Sequence, residues 1–399
     1  MTMTTAIASN LRVSDLAPNQ VQSEIRAMSV ACAAVSGINL AQGVCDTDTP
    51  HPVVEAAIKA IHAGHNIYTR ADGIESLREA IAQKFARFNQ LEVYPDTQVL
   101  VTSGATGAMQ ATCMALLNAG DECIVFEPFY GYHLSTLRSM RITPVIVPLE
   151  APEWAFDADR LRTAITPRTR AIILNSPSNP SGKVFSRDEL KALAAIAIEH
   201  DLFVITDEMY EYFVYDGVEH FSIARLPGMA ERTITISGFS KTFSVTGWRL
   251  GYLAASERWM PAISYFHDLV YVCAPAPLQH GVATGLLALP GDFYTGVAAD
   301  HQKKRDVLCG ALRTAGLTPS VPTGAYYVLA DTKNIPGKDG RERARRLLKE
   351  TGVAAVAGSA FFGSDASGVN RGEDLLRFCF AKKDAELAEA AQRIAAFRI

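Results

Sequence analysis

Short apolar runs bounded by Gly, Pro or Asn alternate with longer amphipathic stretches through the middle of the chain. Residues 98–102, 122–126, 143–147, 171–174, 202–206 and 233–236 are rich in Val, Ile and Thr, the mark of buried strands. Residues 106–117 and 187–198 between them carry helical periodicity. So do residues 23–34 and 51–62, the latter with Val53, Val54, Ala57, Ile58 and Ile61 on one stripe, and the segment after Asp72-Gly73, with Leu77 and Ile81. Strands joined through helices predict a mostly parallel sheet flanked by helices, an α/β fold whose ligand crevice lies beyond the carboxyl ends of the strands. From about Tyr294 the rhythm changes. A long helix over 296–315 precedes strands at 324–330, 353–356 and 375–380 and helices at 341–350 and 384–397, a smaller α+β unit.

Composition narrows the function classes. A chain of 399 residues with 20% charged and 48% hydrophobic residues has the balance of a globular protein. Its net charge of -4 gives no basic footprint for nucleic acid or an anionic membrane. The 7 cysteines are an odd number without CxxC spacing, which favours reduced core thiols over a disulfide framework or a zinc site. Residues 1–10 lack the charged start and apolar run of a secretory signal, and no later segment is apolar for a membrane-spanning length, so a cytoplasmic location is expected.

The candidate chemistry gathers after strand ends. Lys241 follows the run 233–236 on a loop of small residues; beside apolar neighbours and a second cation such an amine loses its proton more readily and becomes a nucleophile towards carbonyls. Arg249 suits a fixed anion such as a phosphate. Ser103-Gly104-Ala105-Thr106 joins a strand to a helix and aims free backbone N–H groups at one point, although neither a GxGxxG nor a GxxxxGKS fingerprint is present. Tyr130 stands in an aromatic loop that serves either as a core cap or as a platform for a flat ring. Asn175 and Asn179 lie in a proline-locked loop, and Asp207 ends a buried strand, where a carboxylate needs a partner. Ser103, Tyr130, Asn179, Asp207 and Lys241 thus converge on one edge. Tyr68 and Arg70 share a loop able to donate to an anion, Gly43 marks a close approach or a plain turn, and Arg377 in an apolar strand requires a carboxylate, from the protein or from a substrate.

The stretch Ser237-Gly238-Phe239-Ser240-Lys241-Thr242-Phe243-Ser244-Val245-Thr246-Gly247-Trp248-Arg249 resembles the lysine motif of the class I/II aminotransferases, the fold-type-I enzymes that use pyridoxal 5′-phosphate. Asn175-Ser176-Pro177-Ser178-Asn179-Pro180, Asp207-Glu208-Met209-Tyr210, Tyr68-Thr69-Arg70-Ala71-Asp72-Gly73 and Leu376-Arg377-Phe378 are similar to the family's other landmarks, in order, from about Asn39 to the end. The resemblance is strongest to the branch of kynurenine, glutamine, aromatic and methionine aminotransferases. It implies a large cofactor-binding domain over 50–290, a small domain over 291–399, and residues 1–49 contributing to the latter. By motif, Lys241 is the Schiff-base lysine and the proton carrier, Asp207 pairs with the ring nitrogen, and Tyr210 and Asn179 hold the phenolic oxygen, with Asn175 beside them. Tyr130 stacks on the ring. Gly104, Ala105, Thr106, Ser240, Ser237 and Arg249 hold the phosphate, joined by Tyr68 from a second copy of the chain, so a homodimer with shared sites is implied. Arg377, Asn179 and the backbone at Gly43 bind the substrate's α-carboxylate; no metal is implied.

The expected reaction is therefore ping-pong transfer of an amino group from a neutral or aromatic L-amino acid to a 2-oxo acid. A β-eliminating carbon-sulfur lyase, or other α-carbon chemistry on the same scaffold, is the alternative, and a ligand sensor fused to DNA-binding helices is disfavoured. Three departures bear on this. Gly238 stands where the family often has serine, three residues before the lysine. Between Arg249 and Arg305 only Arg258 is an arginine, against strong aspartate specificity. The unusual Val272-Cys273-Ala274-Pro275-Ala276-Pro277 is expected to shape the side-chain pocket.

Overall fold

The protein was analysed as a computed structural model that describes residues 11–17, 23–364 and 367–398; residues 1–10, read above as lacking a signal, lie outside them. In chain order the strands are β1 (Ile38–Asn39), β2 (Val99–Thr102), β3 (Glu122–Glu127), β4 (Thr143–Pro148), β5 (Thr169–Asn175), β6 (Phe203–Asp207), β7 (Thr233–Gly238), β8 (Gly251–Ala254), β9 (Thr318–Ser320), β10 (Tyr327–Asp331), β11 (Val353–Ala354), β12 (Val356–Ala357) and β13 (Leu375–Cys379).

Seven of these form one sheet in the order β2-β8-β7-β6-β5-β3-β4, in which β8 alone runs antiparallel to its neighbours. Such strands are covered on both faces, which is why they read as unbroken apolar runs. Cys123, Val125, Ile173, Ile205, Ile234 and Ile236 pack into one core, while Ile124, Phe126, Ile172, Leu174 and Val204 pack into another. The second sheet, β12-β13-β10-β9, is antiparallel. Beside it β1 pairs in parallel with β11, Ile38 opposite Val353, so chain from the amino-terminal region joins chain from near the carboxyl end.

Sequence periodicity places most helices well, among them His51–His62 and Arg187–Glu199. The helix expected from residue 106 begins at Gly104, and the one expected from 296 begins at Gly291. Val272-Pro277 departs from expectation: none of its residues lines the main cavity. Val272 to Pro275 separate two helices, Met260–Tyr271 and Ala276–Ala288, the second opened by Ala276 and Pro277, and the Ala274 carbonyl accepts from Gln279 Nε2 at 3.0 Å. All seven cysteines are unpaired, and only Cys273 is not buried. No helix among the described residues is long and apolar enough to cross a membrane.

Candidate active site

The cavity lies where the parallel strands of the large sheet end. Its volume is about 840 Å³, and Tyr327 and Arg377 of the second sheet, the segment Gln42-Gly43-Val44, and the helix Glu24–Ala34 complete its walls. Tyr130, Asn179, Asp207 and Lys241 all line it, as do Asn175, Tyr210, Ser240 and Arg249. Ser103 does not; its backbone N–H donates to His267 Nε2 at 3.1 Å.

Lys241 stands three residues past the end of β7, and its Nζ donates to the Gly43 carbonyl at 3.1 Å. Its surface is only half-buried because the amine faces the cavity, yet protein surrounds it densely enough that burial lowers its pKa to about 8. Cys379 and Cys45 pull the other way, and Arg249 and Arg377 add smaller repulsions. The Gly238 departure has a steric cause. Gly238 is paired with Gly251, and a Cβ there would lie 2.9 Å from Gly251 Cα and 3.1 Å from the Leu250 carbonyl oxygen.

Ser237 is a correction. Its hydroxyl donates to Glu211 Oε1 at 2.8 Å, away from the cavity. The alternation of β7 explains this, since Ser237 shares a face with Thr233 and Thr235 while Ile234 and Ile236 point into the opposite core. Ser240, beyond the strand, lines the cavity instead.

At one end of the cavity the helix Gly104–Leu116 presents Ala105 and Thr106 at its amino terminus. Gly104 sits at φ +70°, and a Cβ on it would meet Arg249 Nη2 at 2.6 Å, so glycine lets the guanidinium approach this helix end. Arg249 Nη1 is braced by the Thr246 carbonyl at 3.1 Å. Tyr68 is 79% exposed and outside this protomer's cavity.

At the other end Asp207 Oδ2 lies 3.0 Å from His133 Nε2, and Oδ1 accepts the Met209 N–H at 3.2 Å. The reading of the sequence missed His133, which occupies the first turn of the helix Gly131–Ser139, three residues after Tyr130, and packs edge-on against that ring. Tyr210 Oη and Tyr327 Oη are 2.9 Å apart; burial pushes both phenols up, Tyr327 to about 12, so both stay neutral at physiological pH. Asn175 lines the cavity, but its amide is spent on the scaffold. Oδ1 accepts from the Asn179 N–H at 2.8 Å and Nδ2 donates to the Asp207 carbonyl at 3.0 Å, locking the ends of β5 and β6 together.

Arg377, on β13, is 1% exposed. Nη1 donates to Asn179 Oδ1 at 3.0 Å and Nη2 to the Ala41 carbonyl at 2.6 Å, while Tyr327 and Phe361 flank the guanidinium at 4.5 and 4.6 Å. No protein carboxylate pairs with it among the described residues, and its buried Nε has no hydrogen-bond partner. Gly43, whose backbone the resemblance assigns to the substrate's carboxylate, lines the cavity beside it. The Gly43 carbonyl is taken by Lys241 and by Tyr326 Oη at 3.2 Å, and a Cβ on Gly43 would fall 2.0 Å from Tyr327 Oη.

The profile of the family described as aminotransferase class I and II matches residues 35–394. The chain belongs to the class I and II aminotransferases. This aminotransferase is 34% identical over 392 residues to kynurenine–oxoglutarate transaminase 3 from Homo sapiens, a match covering 91% of this chain and 86% of the relative. The solved structure of N-succinyldiaminopimelate aminotransferase from Mycobacterium tuberculosis aligns with a TM-score of 0.91 at 36% identity, covering 96% of this chain and 99% of that one. YbdL from Escherichia coli, described with a methionine aminotransferase function, aligns with a TM-score of 0.91 at 32% identity over the same shares. The architecture is fold type I, and enzymes of this family depend on pyridoxal 5′-phosphate to exchange amino groups between amino acids and 2-oxo acids. The cavity fits that cofactor: a helix amino terminus and Arg249 suit its phosphate, a carboxylate braced by His133 suits a charged ring nitrogen, and a lysine of lowered proton affinity suits its aldehyde.

Proposed function

We propose that this aminotransferase takes the amino group of a neutral or aromatic L-amino acid and passes it to a 2-oxo acid in two half-reactions at one site. The observation that carries this reading is the pairing, within one cavity, of a deprotonatable Lys241 with a buried Arg377 that no protein carboxylate satisfies. Two hydrogen bonds and two aromatic faces fix Arg377, so a substrate α-carboxylate that it binds is held in one orientation. Tyr130, Tyr132, Tyr327, Ile25 and Val30 are among the residues lining the cavity, surface suited to apolar or aromatic side chains. The kynurenine and methionine enzymes to which the chain is similar support the same substrate class.

Pyridoxal phosphate, when bound, supplies the electron sink that acidifies the substrate's α-proton. Lys241, the residue that would hold the cofactor's aldehyde, would carry the substrate's α-proton, as base and then acid. Asp207, steadied by His133, would keep the ring nitrogen charged, Tyr210 and Asn179 would hold the phenolic oxygen, and Tyr130 would cover the ring. Gly104, Ala105, Thr106, Ser240 and Arg249 hold the phosphate. In this reading residues 50–290 form the cofactor-binding domain and 291–399 the small one, with residues 1–49 contributing to the latter through the β1–β11 pairing. The enzyme works in the cytoplasm as a homodimer in which the exposed Tyr68 reaches the phosphate held by a second copy.

Incubating the holoprotein with a single amino acid and no oxo acid tests the reading. One equivalent of product with conversion of the cofactor to pyridoxamine phosphate supports it; sustained release of pyruvate and ammonia would replace it with β-elimination. Borohydride reduction should leave a pyridoxyl group on Lys241, and a tag elsewhere sinks the assignment.

A further inference from the structure

The helix Glu24–Ala34 turns one face to the cavity. Arg26, Ser29, Val30 and Ala33 line it, whereas Met28 and Cys32 are buried in the core behind. Ser29 also reaches beyond the helix: its hydroxyl donates to the Ile25 carbonyl at 2.9 Å and accepts from Asn39 Nδ2 at 3.1 Å. The rest of the Asn39 amide is spent on the chain that follows it. Oδ1 accepts from the Ala41 N–H at 3.0 Å and from the Gln42 N–H at 3.2 Å, so one side chain folds residues 39–42 into a turn and ties that turn to the helix.

That turn carries an acceptor for Arg377. The backbone of Asn39 pairs with Ala354, the Leu40 carbonyl takes the Cys379 N–H at 2.8 Å, and the Ala41 carbonyl takes Arg377 Nη2 at 2.6 Å. The other acceptor of the guanidinium is supported in the same way. Asn179 offers Oδ1 to Nη1 at 3.0 Å, and the Asn179 N–H is itself held by Asn175 Oδ1 at 2.8 Å. Each acceptor therefore sits on a residue whose backbone N–H is bound by a nearby asparagine amide. With Nε unpartnered, these two contacts are the hydrogen bonds that fix the direction of the fork, and a bidentate grip on a carboxylate is sensitive to that direction.

We propose that Asn39 is a positioning residue for the substrate's α-carboxylate: by holding the turn that carries the Ala41 carbonyl, it sets the direction in which Arg377 meets that group. The inference rests on the aminotransferase reading of the site. Asn39 does not line the cavity, so its influence on a bound molecule passes through Arg377. The next carbonyl of interest, that of Gly43, has its own anchors in Lys241 and Tyr326, so the surroundings of the lysine are held independently of Asn39.

The test measures, by calorimetry on the holoprotein, the binding of two unreactive probes: hydrocinnamate, which carries a carboxylate, and hydrocinnamyl alcohol, the same skeleton without one. Asn39→Ala should weaken the acid roughly five- to tenfold and the alcohol less than about twofold. Asn39→Ser, whose hydroxyl can accept within the same turn, should recover part of the loss; should the alanine variant not fold, the serine variant carries the test with a smaller split of the same sign. An acid constant unchanged by either variant overturns the proposal, and so does an equal loss for acid and alcohol, which marks a displaced cavity wall. A second arm measures kcat/KM for an aromatic amino-acid donor with Asn39→Ala placed on the Arg377→Gln background. With no guanidinium left to aim, the added loss should be less than about twofold, and a loss as large as in the unaltered background overturns the proposal. Because neither probe turns over, their result is separate from the single-amino-acid half-reaction, whose absence would instead remove the underlying reading.

Discussion

Lys84 and Arg377 are both almost fully buried, at 3% and 1% exposure, and the fold treats them in opposite ways. Lys84 donates to Glu211 Oε2 at 2.5 Å and to Asn89 Oδ1 at 2.8 Å, while Ser237, Tyr252 and Asn89 satisfy the remaining capacity of Glu211. Nearby, Glu208 accepts from Ser222 and meets His220 Nε2 at 2.9 Å. Oxygen and nitrogen ligands from Glu208, Glu211 and His220 lie within 4.8 Å of one another, the spacing of a metal site, but the ammonium of Lys84 already supplies the positive charge against Glu211. Arg377 has only neutral acceptors and aromatic faces. A buried cation with its own carboxylate belongs to the architecture; one left without an anion is prepared for something that arrives from outside.

Substitutions should separate the two kinds. Arg377→Gln should lower kcat/KM for every amino-acid donor by roughly two to four orders of magnitude, the worth of two charge-assisted hydrogen bonds, while the midpoint of thermal unfolding stays where it was. A large loss of stability with intact kcat/KM would make Arg377 another Lys84. Conversely, Lys84→Met should cost about 3–5 kcal/mol in urea unfolding, because the Glu211 carboxylate is stranded, and adding Glu211→Gln should restore more than half of it. If the single variant is as stable as the parent, the pair contributes little and the contrast fails.

A smaller effect concerns the amine of Lys241. Only its neutral form attacks an aldehyde, and burial lowers its pKa from 10.5 to about 8. Cofactor capture by the cofactor-free protein should therefore accelerate with rising pH and level off above a midpoint near 8. A midpoint near 10 would place this lysine among ordinary surface amines. Smallest is the expected effect of Ser237→Ala: about 1 kcal/mol of stability, lost with its hydrogen bond to Glu211, and no change in cofactor affinity, whereas Ser240→Ala should weaken cofactor binding. Equal cofactor loss in both would return Ser237 to the phosphate site.

Much of this site was legible because parallel strands advertise their ends. An apolar run followed by Lys241, Asp207 or Asn179 places each side chain at a common edge before any coordinate is known, and a lone arginine in the run around Arg377 announces an anion. Other features needed three dimensions. His133 looked like one more member of an aromatic loop, since nothing in the spacing shows that a helix beginning at Gly131 aims it at Asp207. The Ala41 carbonyl that braces Arg377 is 336 residues away in sequence. Ser237 was readable in principle, because the alternation of Thr and Ile in β7 fixes its face; nearness to the lysine outweighed that period. Arg26 lay on a periodic helix, but which structure its polar face would meet depends on β1 pairing with β11, a contact between distant ends of the chain.

The helix Glu24–Ala34 has a consequence for how such an enzyme can diversify. Its inner residues, Met28 and Cys32, hold it to the body, while the cavity-facing ones share no hydrogen bond with Lys241, Asp207 or Arg377. Mutations at positions 26, 30 and 33 can therefore redraw the menu of accepted molecules while the proton-handling machinery stays as it was, giving a lineage room to drift between metabolic tasks on about two turns of helix.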